Sequence, residues 1–220
     1  MDIELYSYWR SSASWRVRIA LALKGLPYRT SPVHLVRDGG EQHADRYRAL
    51  NPMREVPTLL VDGVAIAQSA AILEFLEERF PEPALLPGDA HQRAHARRLF
   101  EIVNSSIQPL QNLRVLQYVD STFQVGSAGR ADWARYWISL GLDGLEPVLS
   151  SRAGRHAVSD TVSIADLAIV PQVYNARRFD LDMARWPCIA RVDAAASEHP
   201  AFVAAHPDRQ PDAPEALGTS

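Results

Sequence analysis

Pro81, Pro83 and Pro87 crowd into one short stretch, and no helix can run through it, because each proline lacks a backbone donor and clashes with the preceding turn. The break separates two different patterns. Before it, strand and helix signals alternate; beyond it the strand signals stop. The chain is therefore expected to form two domains, residues 1–83 and 84–220, joined by a linker at the prolines.

In the first part, Ile3 to Tyr8 reads as a strand. Serines 11, 12 and 14 are N-cap candidates for a helix that runs to Lys24, with Gly25 as its stop. Tyr28 to His34 is a second strand and Ala44 to Leu50 a short helix. Asp62-Gly63, between Thr58–Val61 and Val64–Ala67, is the residue pair of a type I′ hairpin. Ser69 reads as the cap of a helix to Phe80, whose Ile72, Leu73, Phe75 and Leu76 share one broad face. The order β-α-β-α-β-β-α predicts an α/β layer with a mixed sheet, since only the last strand pair has a hairpin connection. In the second part, Arg93–Val119, Trp133–Leu149, Ile164–Phe179 and Cys188–Ser197 carry helical spacing and predict an all-helical bundle. The tail from Pro207, with further prolines at 211 and 214, is expected on the surface without regular structure.

Composition narrows the function classes. An apolar fraction of 47% with 22% charged residues belongs to a chain with a core. A net charge of −3 offers no basic surface to nucleic acid or to an anionic membrane. No run approaches the ~18 apolar residues of a membrane span. Cys188 is the only cysteine, which excludes an intramolecular disulfide and a Cys-x-x-Cys couple. With an acidic N-terminus that lacks a signal-peptide pattern, this points to the cytoplasm. His91 and His95 lie four apart on a helix but have no third ligand nearby, so no metal site is expected and both read as exposed polar residues. Ser163-Ile164-Ala165-Asp166 reads as a capping box, which makes Asp166 structural.

Three junctions carry candidate chemistry. Tyr8 to Arg16 passes from strand to helix through three serines, where unpaired N–H groups and the helix dipole favour an anion; plain N-capping explains the same serines. Val56-Pro57 opens a strand, and such a bond in the cis form can turn the preceding backbone toward a peptide ligand, although a trans proline is equally legal there. Gln68-Ser69 opens a helix and offers an amide to a carboxylate or amine, or only a cap.

In this order the three junctions resemble the glutathione transferases, with a thioredoxin-like N-terminal domain and a helical C-terminal bundle. The run Ser11-Ser12-Ala13-Ser14-Trp15-Arg16-Val17-Arg18 is similar to the signature of the zeta class. Asn51-Pro52-Met53, Ile107 to Leu113, Val170-Pro171-Gln172-Val173 and Arg209-Gln210-Pro211-Asp212 match the same class, so the resemblance spans nearly the whole chain. It implies glutathione as cofactor and a homodimer. It also implies cis–trans isomerisation of a keto-diacid, maleylacetoacetate or maleylpyruvate, by reversible addition of a thiolate. A conjugating or dehalogenating transferase shares the same glutathione site, and a non-catalytic member would need that site damaged.

The family correspondence places the γ-glutamyl end of glutathione at Gln68 and Ser69 and its cysteinyl backbone at Val56 beside Pro57, with Gln42 close by. It places the thiol at Ser11 and Ser12, and implies further contacts from Gln108, Asn112 and Arg114. Two substrate carboxylates suit guanidinium forks, and Arg10 and Arg178 are the expected pair; a surface arginine serving its helix C-terminus is the other reading of Arg178. Arg16 and Arg177 are expected in solvent or in salt bridges. The class usually has cysteine where this chain has Ala13, so the attacking sulfur must come from glutathione.

Overall fold

The computed structural model describes residues 1–214, which divide into two compact units. The first contains Met1–Leu85 together with the chain from His199 onward, and the second contains Leu86–Glu198.

The first unit is the expected thioredoxin-like layer. It runs β1 (Ile3–Ser7), α1 (Ser12–Leu23), β2 (Arg29–Pro32), α2 (Asp45–Leu50), β3 (Thr58–Val61), β4 (Val64–Ala67) and α3 (Ser69–Arg79). The sheet order is β2-β1-β3-β4, with β1 parallel to β2 and antiparallel to β3. Asp62 and Gly63 take positive φ values of 48° and 84°, as a type I′ turn requires. Helix α1 is buried along nearly its whole length, from Ser14 to Leu21. Two arginines are among its fully buried side chains. Arg16, expected in solvent or in a salt bridge, is instead fully buried and donates from Nη1 to Ser69 Oγ at 3.3 Å. The proline stretch is fastened from within this unit, where Lys24 Nζ donates to the carbonyls of Phe80 and Pro83 and pairs with Glu77.

The tail differs most from expectation. It opens with a 3-10 turn at Pro207–Arg209, and a short helix, α9 (Pro200–Ala204), precedes it. Ala205, Gln210 and Ala213 are buried. The reason is Arg18, whose buried guanidinium takes the Ala205 carbonyl as an acceptor at 3.1 Å. Asp212 adds a second tie by accepting from Trp9 N at 2.9 Å. The expected second domain, 84–220, thus gives up its last segment to the first unit.

The second unit is helical: α4 (Ala90–Glu101), α5 (Leu113–Phe123), α6 (Gly126–Ser150), α7 (Ile164–Arg178) and α8 (Pro187–Ser197). The single helix expected over 93–119 is interrupted by a π turn at Ile102–Ile107 and a 3-10 turn at Gln108–Gln111. Pro109 has no N–H to continue the ladder, and Asn112 Oδ1 restarts the helix by capping Arg114 N at 2.9 Å. Helix α7 is buried on all sides from Ile164 to Val173, which makes it the centre of the unit. Asp166 at its start accepts from Ser163 N, Ser163 Oγ and Ala157 N at 2.8, 2.9 and 2.9 Å, the structural task expected of it. His95 is buried in α4, not exposed as expected, because it falls on the face that carries Ala96 and Leu99 inward. Among the described residues no helix is long and apolar enough to cross a membrane, and no group of His, Cys, Asp and Glu assembles as a metal site.

Candidate active site

In the first unit the first two junctions are linked by packing, and hydrogen bonds tie in the third. Tyr8 and Val56 belong to one buried cluster with Val33 and Tyr47, against which Trp9 and Leu35 also pack. The cluster therefore holds the loop before Ser11 and the residue before Pro57 on common ground. Gln42 joins it by donating to the Leu35 carbonyl at 3.2 Å.

Ser11 is the N-cap of α1, and its Oγ accepts from Ser14 N at 3.2 Å. Capping uses the oxygen as acceptor, so the hydroxyl proton stays available for an anion. Capping and anion binding therefore do not compete at this residue. Ser12 is the first helical residue, and Arg10 stands just before the cap with its guanidinium 5.4 Å from the Trp9 ring centre. The loop is tied from below. Arg18 Nη1 donates to Ser7 Oγ at 3.0 Å and to the Tyr8 carbonyl at 3.4 Å, and Nη2 to the Trp9 carbonyl at 2.9 Å. Burial pushes the Arg18 pKa down to about 10, which still leaves the side chain charged at neutral pH.

Val56-Pro57 is a cis peptide bond. The paired register of β3 begins at Thr58, so the Val56 backbone lies outside the sheet ladder. Its position is fixed from the preceding residue. The Glu55 carbonyl accepts from Tyr47 Oη at 2.6 Å and from Asn51 Nδ2 at 2.8 Å. Burial raises the Tyr47 phenol pKa, which keeps it a neutral donor.

Gln68 takes φ 71° and ψ 117°, a backbone conformation that costs an L-residue about 1–3 kcal/mol. It is Gln68, not Ser69, that occupies the N-cap position of α3. Ser69 already lies in the first turn, buried, with its Oγ accepting from Arg16. The exposed Gln68 amide reaches Glu55 Oε2 at 3.4 Å, which joins the second and third junctions. One end of the unit thus presents a hydroxyl proton, a helix N-terminus, an unladdered backbone residue and a strained Gln. The buried Gln42 Oε1 has no hydrogen-bond partner of its own. That donor and acceptor set can engage an anion and the backbone of a short peptide.

The remaining expected residues lie in the second unit. Gln108 opens the 3-10 turn, and Asn112 spends its Oδ1 on the cap of α5, where Arg114 supplies the donor. Arg178, exposed in the last turn of α7, donates from Nη1 to Asn175 Oδ1 at 2.8 Å. Arg177 pairs with Asp193 at 2.8 Å, as expected.

Tyr47, Arg18 and Asp212 escaped the sequence reading as site-shaping residues. A tyrosine in a short amphipathic helix and an arginine in a helical run carry no signal of the distant carbonyls they serve. Arg18 and Asp212, like Asn51, lie in segments that match the zeta class, but the match itself gives no hint of these contacts.

Comparison with known proteins supplies the context. Residues 10–79 match the family described as Glutathione S-transferase, N-terminal domain. Maleylacetoacetate isomerase of Rattus norvegicus is 49% identical over 215 residues, covering 98% of this chain and 97% of that protein. The crystal structure of maleylacetoacetate isomerase from Anaeromyxobacter dehalogenans 2CP-1, with glutathione bound in its active site, superposes with a TM-score of 0.87 at 49% identity, covering 97% of this chain and 98% of that one. The holo structure of a maleylpyruvate isomerase, a bacterial zeta-class glutathione transferase, gives a TM-score of 0.92 at 45% identity over 96% of this chain and 99% of the other.

Proposed function

Because the chain belongs to the zeta class of glutathione transferases, we propose that it is a glutathione-dependent isomerase converting maleylacetoacetate to fumarylacetoacetate. Glutathione, when bound, supplies a thiolate that adds reversibly to the activated cis double bond and so permits rotation to the trans isomer. The residues of this chain do the rest.

One observation carries the reading: Ser11 caps α1 through its oxygen and keeps its proton for an anion at the helix N-terminus. A free thiol near pKa ~8.5 is only a few per cent ionised at neutral pH. The helix terminus contributes about 0.3–1 kcal/mol and at best ~2, and a hydrogen bond to a charged group about 1.5–3. At ~1.4 kcal/mol per pKa unit, these lower a thiol at Ser11 by about one to three units. Ser12 is the neighbouring hydroxyl. Gln68 and Ser69 would hold the γ-glutamyl end, and Val56, before Pro57, the cysteinyl backbone, with Gln42 behind it. Gln108, Asn112 and Arg114 are further candidates for the cofactor. Arg10 and Arg178 are the proposed partners of the two substrate carboxylates. With Ala13 at the class's cysteine position, the protein brings no thiol of its own to this site. The enzyme is proposed to work as a homodimer in the cytoplasm.

Maleylpyruvate is the second substrate to consider, since a maleylpyruvate isomerase superposes over nearly the whole chain. A side-by-side assay with maleylacetoacetate, maleylpyruvate and chlorodinitrobenzene separates isomerase from conjugating transferase. Ser11→Ala is expected to lower isomerisation and conjugation together, by about ten- to a hundredfold, because both need the same sulfur. Arg178→Ala is expected to lower turnover of the diacids and spare the uncharged electrophile. If Arg178→Ala leaves the diacids untouched, the carboxylate assignment is wrong. If Ser12→Ala is the damaging change and Ser11→Ala is silent, the thiolate donor is Ser12.

A further inference from the structure

The second unit contains a line of buried amides that the reaction as described leaves unused. Arg178 Nη1 donates to Asn175 Oδ1 at 2.8 Å, Asn175 Nδ2 donates to Gln111 Oε1, and Gln111 Nε2 donates to Gln172 Oε1 at 3.5 Å. Asn175, Gln111 and Gln172 are 7%, 6% and 1% exposed. Gln172, Asn175 and Arg178 follow one another at three-residue spacing along α7 and so share a face. Gln111 enters from the 3-10 turn and bridges the first two.

Burying three amides is costly unless each is bonded, and a packed apolar set would serve a core equally well. Their common direction suggests a reason. Arg178, Asn175 and Gln111 each donate along the line, so each amide carbonyl accepts from the Arg178 side, and aligned bonds of this kind polarise one another; Gln172 ends the line with its Nε2 unbonded. An exposed arginine otherwise samples many rotamers. Here Nη1 is pinned, and the planar fork is held before any carboxylate arrives.

We propose that Gln111, Asn175 and Gln172 are positioning residues that pre-orient Arg178 for a substrate carboxylate, with Gln111 as the clip. This rests on the assignment of Arg178 to the diacid. It also links two segments that the zeta-class resemblance singled out separately, Ile107–Leu113 and Val170–Val173, since Gln111 and Gln172 meet.

The test is a mutant cycle of Gln111→Met and Arg178→Ala, read by calorimetric binding of malonate, an unreactive dicarboxylate, and by diacid turnover. Gln111→Met should weaken malonate binding and raise KM for the diacid by about tenfold, the effect of an unlocked long side chain, with conjugation of chlorodinitrobenzene unchanged. In the Arg178→Ala background the same change should add nothing. Gln111→Glu, which keeps the acceptor for Asn175, should restore most of the binding. Additive losses, or a parallel fall in conjugation, would reduce Gln111 to a structural residue and overturn the proposal. Should Gln111→Met fail to fold, Asn175→Asp carries the test. Its charge would hold Arg178 away from the ligand, so malonate binding must fall with conjugation intact, and unchanged binding would overturn the proposal. If Arg178→Ala alone leaves malonate binding intact, it is the carboxylate assignment that fails; if only the Gln111 and Asn175 variants are silent, the relay fails and the assignment stands.

Discussion

Arg18→Met strikes the tie that holds the Ser11 loop against the C-terminal segment. The guanidinium makes four hydrogen bonds, to the carbonyls of Tyr8, Trp9 and Ala205 and to Ser7 Oγ. Its burial is not free. Desolvation lowers its pKa to about 10, a penalty of about 3 kcal/mol on the charged form at ~1.4 kcal/mol per unit. Bonds to a charged donor contribute about 1.5–3 kcal/mol each, so the four together outweigh that penalty. Methionine fills similar volume but leaves the Trp9 and Ala205 carbonyls without this donor. Tyr8 O keeps its bond from Ser11 N, and Ser7 Oγ can rotate. The net loss should be about 3–5 kcal/mol, concentrated in the first unit. Urea unfolding followed by tryptophan fluorescence should show an early transition, and calorimetric glutathione affinity should fall with it. Arg18→Lys, with a point charge in place of a fork, should recover only part. An Arg18→Met protein within about 1 kcal/mol of the parent, with unchanged glutathione affinity, would refute the reasoning.

Two more expectations are open to measurement. Burial, with Arg152 and Arg98 adding to it, lowers the His95 pKa below 6.5, so the fold favours the neutral ring. That contribution is complete above the unfolded value and is lost as pH falls through the lower folded one. The parent should therefore lose more stability between pH 7.5 and pH 5 than His95→Leu, and parallel urea midpoints would contradict this. The proposed homodimer should scatter light as a particle of about twice the 24.4 kDa chain mass at micromolar concentration; a monomer at every concentration would end that proposal.

Local signals were the ones a sequence could carry. Asp62-Gly63 demands positive φ at two successive residues, and few other turns use that pair. Ser11 sits where strand periodicity ends and helix periodicity begins, so its capping role follows from position. Ser163 and Asp166 form a box within four residues. The missed features depend on distance or context. Arg16 and Arg18 look like solvent-facing charges until the partners that bury them, Ser69 and Ala205, are folded into place. The π turn at Ile102–Ile107 interrupts a stretch whose apolar spacing is helical throughout, and Pro109 hinted only at its far end. The tail from Pro207 is rich in proline, which reads as irregular coil, yet Pro207 itself opens a 3-10 turn. Ser69 was read as a cap because nothing in a sequence announces that Gln68 adopts a strained backbone.

The bond from Arg18 to Ala205 spans 187 residues of chain. During synthesis at ~5–20 residues per second, Arg18 is made roughly 10–40 s before that acceptor exists. For that interval α1 carries a charge with an interior place to go and no carbonyl of Ala205 to receive it. The end of the first unit that carries Ser11 is thus among the first segments to be made and among the last to be finished, and its completion requires that the helical unit has already been translated.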